Sequence, residues 1–119
     1  MYNEIKKPKN RLDGYEKVTG QAKFGADLNF GNQLYAKTVY SKYPRAEIVN
    51  IDISKAVELE GVVDIITAQD IPGSNEMFGR FPVLAQDEVK YVGDGVAVVA
   101  AESKETAAKA ARLIEVKYE

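Results

Sequence analysis

The six residues VAVVAA, Val96 to Ala101, are apolar at every position. A strand covered on one side only alternates apolar and polar residues, so this run fits a central strand covered on both faces. Ser103 then stands where its hydroxyl can cap the helix SKETAAKAAR. In that helix Glu105, Lys109 and Arg112 recur on one face, with Glu105 four residues before Lys109. Ala107, Ala108 and Ala111 line the other side, and side chains this small let a helix lie close to a sheet. LIEVKY returns as a strand.

An earlier stretch has the same order. EIVNIDI places Val49, Ile51 and Ile53 at period two, with Asn50 and Asp52 opposite and Ile48 as the exception. Ser54 can cap the short helix SKAVEL, which stops at Gly61, and VVDIIT follows as a strand. Strand, helix, strand thus occurs twice, from Ile48 and from Val96, with negligible identity between the copies. A further strand, LYAKTVYS, precedes both and ends in a turn near Pro44. At 119 residues this is an α+β chain with one hydrophobic core.

Composition removes whole classes of function. Hydrophobic residues at 45% and charged residues at 29% suit a folded globular chain. A formal charge of -2 offers no basic footprint, which argues against a nucleic-acid partner. There is neither an apolar run near eighteen residues nor a charged-then-apolar leader, so the expectation is a cytoplasmic protein without membrane contact. With no Cys and no His, disulfides, thiol nucleophiles, imidazole bases and the usual zinc and iron–sulfur ligands are all excluded. A metal would have to be a hard, oxygen-ligated cation, and no run resembles a calcium loop.

The remaining polar motifs point to structure. Thr67-Ala-Gln-Asp70 has capping spacing for a single helical turn before Pro72. Gly93-Asp94-Gly95 reads as a tight turn, because a phosphate loop would open a helix and here a strand follows. Asp52, Glu58, Glu60, Asp64 and Asp70 fall on expected solvent faces or caps. Tyr35, Tyr40, Tyr43, Tyr91 and Tyr118 flank strands, where amphipathic rings close the edge of a core. No nucleophile, base and orienting group come together, so no catalytic residue, cofactor-binding residue or metal ligand is assigned.

Two segments lack periodicity. Met1–Asn10 reads as a polar, basic, extended lead-in, and Arg11–Phe30 has three glycines, alternating charges and scattered aromatics. From Pro72 to about Asp87 runs a long loop in which Met77, Phe78 and Phe81 are apolar residues with no strand to hold them.

Ordered motifs carry a more specific signal. Asp13-Gly14 with Lys17-Val18-Thr19-Gly20 comes first, then Ala46-Glu47-Ile48 before Ile51-Asp52 and Gly61-Val62. Asp70-Ile71-Pro72-Gly73, Tyr91-Val92-Gly93 and Tyr118-Glu119 follow. In this order the set resembles the N-terminal α/β hammerhead domain of the molybdenum hydroxylases, the xanthine dehydrogenase and aldehyde oxidase family. The resemblance implies an α+β fold: a mixed β-sheet with two short crossover helices over residues 31–119, and an extended N-terminal strap over residues 1–30.

It also implies a parent enzyme that oxidises purines, N-heterocycles or aldehydes with water-derived oxygen. Molybdopterin would be bound by later parts of the large subunit, and iron–sulfur clusters and FAD by other subunits or segments. These would be the partners of a domain with no catalysis of its own. The strap would lie along the rest of the enzyme. By the same resemblance Met77, Phe78 and Phe81 would wall a substrate channel, the alternative being that they fill the domain's own core. The competing class is a free-standing α+β interaction module without molybdenum chemistry.

Overall fold

The computed structural model describes residues 9–119. They fall in two compact units, Met1–Gln33 and Leu34–Glu119. The larger unit contains strands β1 (Tyr35–Tyr40), β2 (Ala46–Asp52), β3 (Val62–Thr67), β4 (Glu88–Val89), β5 (Gly95–Ala101) and β6 (Glu115–Tyr118). Among them lie helices α2 (Ser54–Val57) and α3 (Lys104–Leu113); α1 (Gly14–Val18) belongs to the smaller unit.

The α+β architecture forms, but not as one mixed sheet. The strands make two three-stranded sheets, ordered β1-β5-β3 and β4-β2-β6, in which every pairing is antiparallel. The reason lies in where the helices take the chain. β2–α2–β3 passes from the second sheet to the first, and β5–α3–β6 passes back. The strands on either side of each helix therefore never become neighbours, and the parallel pairing usual for such a connection is absent.

β5 is the centre of the first sheet, with Tyr35 to Tyr40 aligned on one side and Val62 to Thr67 on the other. Its residues Val96, Ala97, Val99 and Ala101 are all 0% exposed, while Val98 and Ala100 are half-buried, so the face opposite Ala97, Val99 and Ala101 is less completely covered than the unbroken apolar run predicts. α3 packs on this sheet through Ala107 and Ala110, with Ala108 and Ala111 half-buried. The buried stripe is thus shifted from the one expected, and its residues are small enough for close approach. The Ser103 hydroxyl accepts the Thr106 N–H at 3.1 Å, completing the predicted cap.

β2 corrects the period-two reading. Its register against β6 slips between Ile48 and Asn50, a bulge that turns Ile48 inward and leaves Val49 exposed. Ile51 then resumes the inner face. At the end of the strand Asp52, not Ser54, supplies the capping oxygen. Its carboxylate accepts the Ser54 N–H at 2.9 Å and the Ser54 hydroxyl at 2.6 Å.

The core is built in two parts. Ala56, Ile65, Ala97, Val99, Ala110 and Ile114 pack beneath the first sheet and its helices. Ala85, Val89 and Val96 pack against the second. Ile51 and Val116 touch both clusters, so the two sheets share one continuous apolar interior.

Among its described residues the smaller unit holds α1 and one 3-10 turn. The Lys17 ammonium sits 2.9 Å from the Asp13 carboxylate and Arg11 lies beside it. These two cations, Lys17 foremost, hold the Asp13 carboxyl below its usual range. The pairing spans one turn and supports α1, and the Asp27 carboxylate closes a 3-10 turn by accepting the Phe24 N–H at 3.0 Å. None of the described residues in α1 or this turn is buried. The lead-in expected over Met1–Asn10 lies, through residue 8, outside the described residues.

Candidate functional site

The chain leaves the first sheet at Thr67 and reaches the second at Glu88, and the aperiodic segment between them is anchored at both ends. At its start the Asp70 carboxylate accepts the Thr67 N–H and the Thr67 hydroxyl, both at 2.8 Å. These hydrogen bonds hold the Asp70 carboxyl below its usual range. At its end Leu84 and Ala85 are buried, and the Ala85 N–H donates to the Gly95 carbonyl at 2.7 Å.

Asn75 closes the loop across its base. Its amide nitrogen donates to the Leu84 carbonyl at 2.7 Å, while its side-chain oxygen accepts the N–H groups of Val83 and Leu84, each at 3.1 Å. One side chain thus satisfies three backbone groups of the returning segment.

Above this clamp the chain makes a miniature hairpin. Met77 and Phe81 form an isolated antiparallel bridge, with the Phe81 N–H donating to the Met77 carbonyl at 3.2 Å. Between them the Arg80 N–H reaches the Met77 carbonyl at 3.3 Å, closing a four-residue turn. Its two central residues, Phe78 and Gly79, have φ of 56° and 65°, the signs of a type I′ turn. Glycine adopts this region freely. A bulky aromatic does so at a cost, which makes Phe78 the one strained non-glycine backbone position among the described residues.

Phe78 stands at the tip, 90% exposed, with Phe81 at 63% and Met77 at 48%. The structure therefore brings the three sequence-predicted residues together on one hairpin and keeps them out of the domain's own core. None of the three lines the groove beneath the loop. That groove, of about 800 Å³, is lined by charged groups such as Glu47, Glu76, Arg80 and Asp87 together with Ile48, Val49 and Pro82. What the hairpin offers chemically is an apolar, aromatic surface that excludes water.

The other polar candidates hold structure. Asp52 and Asp70 cap, and Asp64 accepts the Ile65 N–H at 2.8 Å. Gly93-Asp94-Gly95 is a turn, as its sequence predicts, but Asp94 is more than a turn residue. It is buried, its carboxylate accepts the Lys90 N–H at 3.0 Å, and its backbone carbonyl accepts the Ser41 N–H at 2.8 Å. Its charge, together with burial and a hydrogen bond, pushes the Tyr91 phenol up. Tyr43 meets Tyr118 edge-on at 5.1 Å, closing a core edge as expected of strand-flanking rings. Sequence reasoning missed Asn75 and the buried role of Asp94. For Asp94 the usable signal was its position between two glycines immediately before a fully apolar strand.

Residues 19–119 match the family model described as the a/b hammerhead domain of aldehyde oxidase and xanthine dehydrogenase. The chain belongs to this family. The hammerhead domain is 48% identical, over 96% of its length, to a probable xanthine dehydrogenase component of Bacillus subtilis, of which it covers 16%. Against the nicotinate dehydrogenase large molybdopterin subunit of Eubacterium barkeri the identity is 40%, with 99% of this chain and 28% of that one covered. Among solved structures, the aldehyde oxidoreductase of Desulfovibrio desulfuricans superposes with a TM-score of 0.87 at 31% identity, over 92% of this chain and 14% of that one. The hammerhead chain thus corresponds to between about a seventh and a quarter of these much longer relatives.

Proposed function

We propose that this hammerhead domain serves a molybdopterin-dependent hydroxylase of the xanthine dehydrogenase and aldehyde oxidase type, bordering substrate access without performing the chemistry. The parent enzyme oxidises purines, N-heterocycles or aldehydes with water-derived oxygen and passes the electrons to iron–sulfur clusters and FAD held elsewhere in the assembly. Relatives named for xanthine, nicotinate and aldehyde support that substrate range. Molybdopterin would supply the oxygen transfer. The residues that hold it are assigned to later parts of the parent subunit.

The observation that carries the access role is the hairpin itself. A ring held at positive φ, 90% exposed, on a loop fastened by Asn75 is a costly way to place an aromatic unless that ring meets something outside the domain. The strap residues support the wider reading, since Leu12, Tyr15, Val18, Phe24 and Phe30 are each at least 60% exposed and would be covered by the rest of the subunit. No helix among the described residues is long and apolar enough to cross a membrane.

The test is Phe78→Ala in the full-length enzyme. A channel role raises KM for an aromatic heterocycle several-fold while the melting temperature holds. Unchanged KM with unchanged stability removes the channel role, and a loss confined to stability assigns Phe78 to packing instead.

A further inference from the structure

A second surface lies wholly within the larger unit and is untouched by the channel reading. β1 and β6 are edge strands of their respective sheets, and a groove of about 1070 Å³ runs between them. Lys37 to Tyr40 line it consecutively, as do Val116 to Glu119. A strand face shows every second residue, whereas consecutive residues are what a strand presents along its edge. The groove is therefore flanked by two strand edges to which no further strand is paired among the described residues.

The floor is apolar, made by Val39, Ala111 and Val116. The rim is cationic. Lys37, Lys42, Arg45, Arg112 and Lys117 line it, against the single acidic side chain of Glu119. Arg45 approaches Glu88 at 3.4 Å, but the other four cations make no ion pair among the described residues. On a chain whose net charge is -2, this is a local inversion of sign.

We propose that this groove is a docking seat for an extended acidic segment of another polypeptide, which adds as a strand to the free edge of β1 or β6. Such a segment would satisfy edge N–H and C=O groups, set alternate carboxylates against Lys37, Lys42, Arg112 and Lys117, and lay its intervening apolar side chains on the floor. Charge complementarity selects an acidic partner. The apolar floor and the two free edges select a β-prone polypeptide over a diffuse polyanion.

The test uses the 119-residue chain, isotopically labelled, with a synthetic octapeptide of alternating Glu and Val as probe. The peptide should shift amide resonances of Lys37–Tyr40 and Glu115–Tyr118. The double variant Lys37→Glu, Arg112→Glu, altered only at solvent-facing positions, should keep its melting temperature and bind about tenfold more weakly. Shifts confined to other surfaces would overturn the proposal. So would equal binding by an octapeptide of alternating Lys and Val, or by an oligoglutamate without valine. Concentration-dependent self-association that the peptide competes away would assign the groove to a second copy of this chain and overturn it as well.

Discussion

Asn75 and Leu84 are joined twice, the Asn75 amide donating to the Leu84 carbonyl at 2.7 Å and its oxygen accepting the Leu84 N–H at 3.1 Å. Leu84 is itself 5% exposed, so the clamp ties the display hairpin to the core and not to another loop. Within the hairpin the one bridge among the described residues joins Met77 to Phe81.

Asn75→Ala should therefore loosen the hairpin and cost about 1–3 kcal/mol, because buried backbone groups near Leu84 lose their partner. Asn75→Asp should not rescue it at neutral pH: it keeps the acceptors but loses the donor and sets a carboxylate against the Leu84 carbonyl. Urea denaturation gives the stability, and protease cleavage between residues 76 and 82 reports the loosening. A variant with wild-type midpoint and cleavage rate would show that the clamp contributes nothing.

At Phe78 the direction reverses. The ring is 90% exposed and packs on little of this chain, while its φ of 56° is strained. Phe78→Gly should be neutral or more stable by up to ~2.5 kcal/mol, strain relief of about 1–3 kcal/mol being offset by glycine's greater unfolded-state entropy of about 0.5–1 kcal/mol. Phe78→Ala keeps the strain and should gain nothing. Thermal melts of the two variants decide it, and a clear loss of stability in Phe78→Gly would mean that the ring packs on this domain.

How much of this was legible in the sequence depended on the range of the forces involved. The unbroken VAVVAA run and the Ser103 cap are local signals, and each appears where the sequence places it, whereas α2 ends at Val57, short of the expected Leu59, and the positive φ of Gly61 turns the chain into β3 instead of stopping the helix. The apolar residues Met77, Phe78 and Phe81 were identifiable because no periodic element claimed them. Sheet membership was not legible, because whether a helix returns the chain to the same sheet depends on packing across the whole core. The β2 bulge escaped for a related reason: Ile48 and Val49 are equivalent in propensity, and only pairing with β6 decides which turns inward. Asn75 looked like any loop asparagine, since its three backbone partners lie eight and nine residues away.

Two exposed caps contribute to the acid limb of stability. The Ser54 hydroxyl and N–H hold the Asp52 carboxyl below its usual range, and the Thr67 N–H and hydroxyl do the same for Asp70. A carboxyl depressed in the folded state contributes stability that is complete above its unfolded value of about 3.9 and is lost as pH falls through the lower folded values. Asp52→Asn with Asp70→Asn should flatten the stability profile below about pH 4 while leaving its shape between about pH 5 and 8 unchanged. Urea midpoints measured across that range test it, and an identical acid limb in the double variant would show that other groups govern it.

Gly61 ends the connection from α2 to β3 with φ of 87°, and a β-carbon built there would stand 3.3 Å from Thr106 Cγ2 on α3. Its carbonyl also accepts the Glu102 N–H at 2.9 Å, so the backbone at this point cannot shift without disturbing the end of β5. Gly61→Ala should thus carry both a conformational cost of about 1–2 kcal/mol and a crowding cost. Gly73→Ala separates the two, because Gly73 has a similar φ of 83° with nothing within 4 Å of the added carbon. Gly61→Ala should be the more destabilising, and combining it with Thr106→Ala should recover part of the difference as a favourable coupling in a double-mutant cycle. Equal losses at Gly61 and Gly73, with no coupling to Thr106, would mean that α3 yields freely there and that its close approach does not depend on the missing side chain.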